Sequence, residues 1–231
     1  MMYYVHLLIM FYIHPLRNTP LDMRLINSSS MIIAGPSQAG KTTFVTKLLD
    51  VAHWILKDNI SGGNIYWICN EKPTGKAYNH TYNYIEGVPD DFSFVENNSV
   101  VVIDDLMQEV KECAAVTSLF TKVSHHRNVF VIYITQNFFN QSKEELTRRR
   151  NCQYIVLFKN PADTKQIQII GSQMFPEQSK LLPKVYKDAV NAKPHGYLLI
   201  DLRQETPDAL RLRSHILPHE LPMIVYKQVG K

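Results

Sequence analysis

One stretch constrains this chain more than any other. Residues 31–43 read MIIAGPSQAGKTT, which fits GxxxxGK[ST] from Gly35 to Thr42. The short apolar run before it, Met31 to Ala34, suits a strand buried on both faces. After Thr43 the apolar residues recur at helical spacing, with Phe44, Leu48, Val51 and Ile55 on one line and Val45, Leu49, Ala52 and Leu56 beside it. Asp58-Asn59 and Gly62-Gly63 then end the helix. Strand, glycine-bounded loop and helix in this order form a cradle for phosphate. Glycines let the loop curl until its N–H groups converge on an anion. The following helix adds outward-facing amides and its positive dipole end. The cradle comprises Gly35, Pro36, Ser37, Gln38, Ala39, Gly40, Lys41, Thr42 and Thr43. Lys41 is expected to reach the β- and γ-phosphates of a nucleoside triphosphate such as ATP, and the Thr42 hydroxyl to hold Mg²⁺. A glycine-rich turn without a ligand is the bland alternative, and the flanking strand and helix speak against it.

A second signal lies at Ser99–Leu106, SVVVIDDL, where β-branched residues end in two carboxylates. Such a run suits a central parallel strand. Asp104 is then expected at the C-terminal edge of the sheet, where ligands bind in open α/β folds, placed to hold Mg²⁺ through water. Asp105, one residue on, is a candidate to take a proton from an attacking water or to position it. An ordinary strand-to-turn Asp-Asp is the competing account. Residues 108–124 follow with a helical pattern, its apolar side made by Val110, Cys113, Ala114, Leu119, Phe120 and Val123. Phe130–Ile134 forms the next buried-type strand and ends at Thr135-Gln136-Asn137. A strand–helix–strand crossover is parallel and right-handed by default. Gln136 should therefore reach the same edge as Asp104, where a neutral amide can orient water or sense the γ-phosphate. Capping of the strand end by local hydrogen bonds is its other reading.

Other polar clusters leave alternatives open. In Ser124-His125-His126-Arg127-Asn128 the adjacent histidines do not share a helix face, so a metal pair is not expected. Arg127 is either a solvated charge or an arginine finger offered to a neighbouring subunit's nucleotide. The segment KEELTRRR ends in Arg148, Arg149 and Arg150, which are solvated, contact a nucleic-acid backbone, or act as a finger. Tyr154–Phe158 and Gly196–Asp201 read as further strands around a helical stretch near 163–191. Tyr78, Tyr82 and Tyr84 fit packing or loop aromatics better than a base-stacking platform.

Composition sets the outer bounds. A length of 231 residues fits one domain at ~150 residues each, perhaps with a small appendage. With 45% apolar and 20% charged residues, the chain is neither disordered nor low-complexity. The formal charge of +4 is compatible with a nucleic-acid partner. Cys69, Cys113 and Cys152 are odd in number and widely spaced, which excludes a disulfide framework and a CxxC zinc site and fits a reducing compartment. The apolar opening MMYYVHLLIMFYIH is shorter than the ~20 residues a membrane helix needs, and it lacks the basic start and cleavage site of a signal peptide. It reads as a peripheral strand or helix, or as sequence upstream of a start at Met23, with a membrane-surface anchor and, after that, a signal as the lesser alternatives. No stable membrane insertion is expected. The expected organisation is an apolar extension over 1–22, a core domain over 23–217 and a tail over 218–231.

The order GPSQAGKTTF, VVIDDLM, FTKVSHHRNVFVIYITQNFF, NCQYIVLFKNPADTKQI and HGYLLIDL resembles the HerA–FtsK superfamily over roughly residues 23–220. More narrowly, it is similar to the packaging ATPases of poxvirus-related large DNA viruses and of Polinton/Maverick and adintovirus elements. That resemblance implies an α/β P-loop NTPase of the ASCE/RecA-like kind, three-layer αβα with a mostly parallel central sheet. It implies ATP and Mg²⁺ as ligands and a homo-oligomeric ring, a hexamer by family analogy, that drives double-stranded DNA into a preformed capsid. Capsid portal or vertex proteins are the implied partners, and the cytoplasm or nucleus of an infected or element-bearing cell is the implied setting. Lys41, Asp105, Gln136 and Arg127 are the implied catalytic residues, Arg127 as the finger in trans, with Thr42 and Asp104 at the metal and Arg148, Arg149 and Arg150 as candidate DNA contacts. One departure concerns the wider superfamily, where Asp-Glu commonly follows the Walker B strand. Here it is Asp104-Asp105, one methylene shorter, as in the viral packaging branch. Two rival readings are a small-molecule kinase with the arginine run as its lid, and a degenerate copy that binds nucleotide without turnover. The Thr135-Gln136-Asn137 strand end suits activation of water rather than of an acceptor alcohol. Intact Lys41, Thr42, Asp104 and Gln136 argue against decay.

Overall fold

The apolar runs pair into one sheet whose two faces are both covered. The computed structural model describes residues 2–7, 11–13, 20–57, 64–70, 82–104, 106, 110, 113–138, 142–220 and 222–228. Its elements run β1 (Met2–Leu7), β2 (Phe11–Ile13), β3 (Pro20–Asp22), β4 (Ser30–Ala34), α1 (Lys41–Asp50), α2 (Ala52–Ile55), β5 (Ile65–Cys69), β6 (Tyr82–Glu86) and β7 (Val100–Asp104). There follow α3 (Ala114–Ser118), a π-helical turn (Leu119–Val123), α4 (Ser124–His126), β8 (Phe130–Thr135), α5 (Lys143–Asn151), β9 (Tyr154–Phe158), α6 (Lys165–Met174), α7 (Leu181–Asn191), β10 (Tyr197–Asp201), β11 (Leu212–Ser214) and β12 (Met223–Gln228).

Among the described residues the main sheet has ten strands in the order β1-β12-β11-β10-β9-β4-β8-β7-β5-β6, and β2 pairs with β3 separately. From β9 to β6 every neighbour is parallel. From β9 outward through β10, β11, β12 and β1 every pairing is antiparallel. Every residue of β4, β7, β8 and β9 is buried, as parallel strands covered on both sides require. Alternation along β4 separates the two faces. Met31 and Ile33 pack with Phe44, Val45, Leu48 and Leu49 of α1. Ile32 and Ala34 face the opposite layer, with Leu119 and Phe120 of the π turn, Ile167 of α6 and Leu182 and Val185 of α7. The result is the three-layer αβα architecture the resemblance implies.

The ends of the chain meet in this sheet. Met2 to Leu7 run antiparallel to Gln228 to Met223, so β1 and β12 form its antiparallel flank. The segments separated in the sequence reading as extension and tail thus contribute neighbouring strands. Next to them Arg213, fully buried, donates to the Met23 carbonyl at 2.9 Å and pairs with Asp201. Arg203 pairs with the same carboxylate at 2.7 Å. Burial alone would raise the Asp201 carboxyl, but the Arg203 hydrogen bonds and the charges of Arg213 and Arg203 outweigh it and hold the group below its ordinary range.

The arginine run departs from the expectation. A helix turns about 100° per residue, so three successive side chains cannot share a face. Ser142 caps α5 by accepting from the Glu145 N–H at 3.2 Å, which fixes the helix register. In that register Arg148 points into the core with no exposure. Its Nη2 donates to Glu145 Oε2 at 2.8 Å, its Nη1 donates to Thr117 Oγ1 at 2.9 Å, and its guanidinium lies 5.8 Å from the Tyr133 ring centre. Arg148 is therefore an internal clasp between α5 and α3, and not a DNA contact. Arg149 is half-buried over the Phe138 ring, and Arg150 is exposed. Tyr82 and Tyr84 lie in a strand, with Tyr82 buried 5.4 Å from the Trp67 ring, so packing accounts for it. Tyr78 lies outside the described residues. Among the described residues no helix is long and apolar enough to cross a membrane.

Candidate functional site

β4 carries the chain to the C-terminal edge of the sheet between β8 and β9, and the phosphate-type loop begins there. Gly35 N–H donates to the Thr135 carbonyl at 3.3 Å. A Cβ on Gly35 would lie 2.7 Å from Phe158 Cβ, so only glycine lets the loop leave the sheet at this point. Gln38 has φ 63° and Gly40 has φ 100°; the second is a conformation that glycine adopts without penalty and that turns the chain into α1. The first helical bond, Phe44 N–H to the Gly40 carbonyl, is 2.9 Å. The first turn of any helix faces amide N–H groups outward, and here that turn begins at Lys41, directly after the loop.

The side chains converge as the motif requires. Lys41 Nζ curls back over the loop and donates to the Gly35 carbonyl at 2.7 Å and the Pro36 carbonyl at 2.9 Å. Thr42 Oγ1 donates to Asp104 Oδ2 at 3.2 Å. That contact joins the start of α1 to the end of β7, and Asp104 is buried. A hydroxyl and a carboxylate brought together at this distance are the hard oxygen donors that Mg²⁺ takes, so the pair fits the ion, with Thr42 as the residue that would hold it directly and Asp104 through water. Asp104 is level with Ile134 of β8, which puts Gln136 just beyond it at the same edge, exposed, as the parallel crossover requires. The turn after β8 is held by Thr135 Oγ1, which accepts from Asn137 N–H at 3.3 Å and donates to the Asn137 carbonyl at 3.1 Å. Asn137 Oδ1 in turn accepts from Gln166 Nε2 at 3.0 Å, tying this edge to α6. Asp105 lies outside the described residues.

Arg127 stands apart from this group. It precedes β8, at the N-terminal edge of the sheet, while the phosphate loop lies at the C-terminal edge. Its Nη1 donates to the carbonyls of Phe92, Ser93 and Val95 at 3.1, 3.1 and 2.8 Å. Within one chain it pins the 92–95 turn from a partly exposed position, at the edge opposite its own chain's phosphate loop.

The fold adds residues to the site that no local motif marks. Because β10 runs antiparallel to β9, with Tyr197 level with Phe158, the turn before β10 returns to the phosphate-loop edge on the side away from Asp104. A cavity of about 350 Å³ lies there, between the first turns of α1 and this turn, lined by Phe44, Lys47, Lys193, His195, Tyr197 and Glu220 among others. Lys193 pairs with Glu220, whose Oε2 accepts from the Tyr197 hydroxyl at 2.5 Å. Burial and the Glu220 charge hold that phenol well above its ordinary range, so it stays a donor. The sequence signal for this wall was His195-Gly196 at the head of a buried-type strand.

No protein-family model matches the chain, and no curated protein matches it. Solved structures do. The chain is similar to the genome packaging NTPase B204 from Sulfolobus turreted icosahedral virus 2 in complex with sulfate, at 13% identity and a TM-score of 0.54, covering 89% of this chain and 98% of that one. The ATP-gammaS complex of the same protein aligns at 13% identity and a TM-score of 0.53, covering 81% and 96%. B204, the DNA-packaging ATPase from Sulfolobus turreted icosahedral virus, aligns at 12% identity and a TM-score of 0.50, covering 88% and 98%. At such identities the likeness concerns the fold, and it gives this chain a three-layer α/β P-loop NTPase fold.

Proposed function

We propose that this chain hydrolyses ATP and that, as a homo-oligomeric ring, it spends the reaction on moving double-stranded DNA into a capsid. The observation that carries the hydrolytic half is the 3.2 Å contact between Thr42 Oγ1 and Asp104 Oδ2. It brings the phosphate loop and the acid of a separate parallel strand to one point, with Gln136 at the same edge. Bound there, Mg²⁺ would offset the charge of the phosphate oxygens. Lys41 exchanges the Gly35 and Pro36 carbonyls for phosphate oxygens, a charge-assisted and stronger partner. The Gln136 amide orients the attacking water, and Asp105 is proposed to take its proton.

The DNA half of the proposal rests on the sequence resemblance and on the fold shared with B204, itself a genome packaging NTPase and DNA-packaging ATPase. Arg150, exposed on α5, is the member of the arginine run suited to a phosphate backbone. A trans role for Arg127 in a hexameric ring requires a neighbour's phosphate to draw it from the carbonyls it holds. The kinase reading loses its lid, since Arg148 lies in the core.

The test is ATP hydrolysis by the full chain with and without long duplex DNA, beside Lys41→Ala. The expected result is turnover that rises several-fold with duplex and vanishes in the variant. Turnover indifferent to duplex would remove the motor and leave an ATPase; nucleotide binding without turnover would remove hydrolysis.

A further inference from the structure

We propose that His195 is a positioning residue for the phosphate loop: a strut anchored in the core that holds the loop in its curled, anion-ready form from the side opposite Asp104. The proposal rests on reading that loop as a nucleoside-triphosphate site. His195 Nδ1 lies 3.0 Å from the Ala39 carbonyl. A carbonyl oxygen only accepts, so the proton of this bond sits on Nδ1, and the ring donates to the loop in its neutral and its charged form alike. The imidazole also packs on Gly40, with Cβ, Cγ and Nδ1 each 3.1 Å from the place a Gly40 side chain would take. The ring fills the space that the glycine leaves.

The strut is built to bear load. His195 itself sits at φ 55°, in the left-handed region that few residues other than glycine enter and that histidine, asparagine and aspartate tolerate best, and its neighbours fix it there. Gly196 N–H closes the turn onto the Lys193 carbonyl at 3.0 Å. Lys193 is paired with Glu220 and lies over the Tyr197 ring, 5.4 Å from its centre. The Tyr197 hydroxyl donates to Glu220 and accepts from the Ile216 N–H at 2.9 Å, while its ring packs 4.7 Å from that of Phe44 on α1. The chain of contacts therefore runs from α1 through Tyr197 and Glu220 to the 193–196 turn and back to the loop. The backbone bonds from Ala39 N–H to Pro36 and from Gly35 N–H to Thr135 are both long, at 3.3 Å, and the short Lys41 bonds hold only the start of the loop, at Gly35 and Pro36. A cradle of converging N–H groups binds an anion well only when it is pre-organised. His195 also lines the 350 Å³ cavity beside α1, so the residue that braces the loop walls the space beside the phosphate site.

The experiment compares His195→Gly with His195→Asn in the full chain. Glycine keeps the left-handed backbone and loses the ring. Asparagine keeps an amide donor at similar reach and is, with aspartate, the side chain best suited to that backbone. Affinities for MgATP and for magnesium tripolyphosphate are measured by calorimetry, with KM and kcat for ATP and the melting temperature of the nucleotide-free protein. In the glycine variant both affinities should fall together, about five- to tenfold for one neutral hydrogen bond and its packing, with KM rising more than kcat falls. Asparagine should restore both to within about twofold. Wild-type affinities in the glycine variant would overturn the proposal. So would a loss confined to ATP with tripolyphosphate binding intact, because His195 would then be a nucleoside contact and no brace. A wild-type chain that binds neither ligand would instead remove the nucleotide-site reading, and this proposal with it.

Discussion

Truncating Arg148 should unfold this protein at much lower temperature and leave the proposed DNA binding untouched. The side chains of Arg148 and Glu145 are 0% and 1% exposed and 2.8 Å apart. Arg148→Ala leaves the Glu145 carboxylate in the core without its guanidinium and removes the donor to Thr117 Oγ1. Breaking one side of a buried ion pair costs about 3–5 kcal/mol, because the orphaned charge keeps its full desolvation penalty. In a domain of this size each kcal/mol moves the melting temperature by about 2–4 °C, so a fall of about 6–20 °C is expected. Urea unfolding should show the midpoint drop with an unchanged slope. The double variant Glu145→Leu, Arg148→Met removes both charges and should recover most of the loss, since apolar replacement of a buried pair is often neutral. Duplex affinity measured against salt should keep its slope in Arg148→Met and lose about one unit in Arg150→Ala. A wild-type midpoint in Arg148→Ala, with a shallower salt slope, would refute the placement of Arg148 in the core.

Further outcomes follow from single contacts. Gly35→Ala would push a Cβ to 2.7 Å from Phe158 Cβ, so the loop must shift; nucleotide affinity should collapse while stability falls by about 1–3 kcal/mol, seen by calorimetry and denaturation together. Arg127→Ala removes a charged donor from three carbonyls and should lower stability by about 1.5–3 kcal/mol, with limited proteolysis finding new cleavage near residues 92–95. Asp201 is held below its ordinary value of 3.8, so its contribution is complete above that pH and is lost as pH falls through the depressed folded value. Acid titration of the melting temperature should show that loss in wild type and lack it in Asp201→Asn, which starts from lower stability at neutral pH. The Cys152 thiol is buried and pushed up to about 12, so a thiol reagent near pH 8 should leave it unmodified in the folded protein and modify it after unfolding, whereas the partly exposed Cys113 reacts first.

Much of the site was legible because its signals are local. A glycine-bounded loop between a buried run and an amphipathic helix is written in consecutive residues, and the 2.7 and 2.9 Å bonds of Lys41 to its own loop follow from that short span. Asp104 and Gln136 needed one further inference, that strands linked by a crossover run parallel, and their shared edge follows from it. The arginine run was harder. Adjacent letters in a sequence look like one patch, yet rotation about a helix sends them to different environments, and only the packing of α5 on α3 decides that Arg148 meets Glu145 and Thr117. Arg127 raises the same difficulty, since the carbonyls it holds lie more than thirty residues earlier in the chain.

The wall beside the phosphate loop, with His195, Lys193, Tyr197 and Glu220, was decided by tertiary structure. No spacing rule connects residue 195 with residue 39; the antiparallel pairing of β10 with β9 does, because it reverses the chain and returns the turn before β10 to the phosphate-loop edge. The same holds for the ends of the chain, where β1 and β12 pair across the whole length of the sequence. Local geometry is set by the backbone preferences and periodicity of neighbouring residues, which a sequence displays directly. Contacts between distant segments depend on strand order and direction, and these are fixed only when the apolar faces have found one arrangement that buries them all.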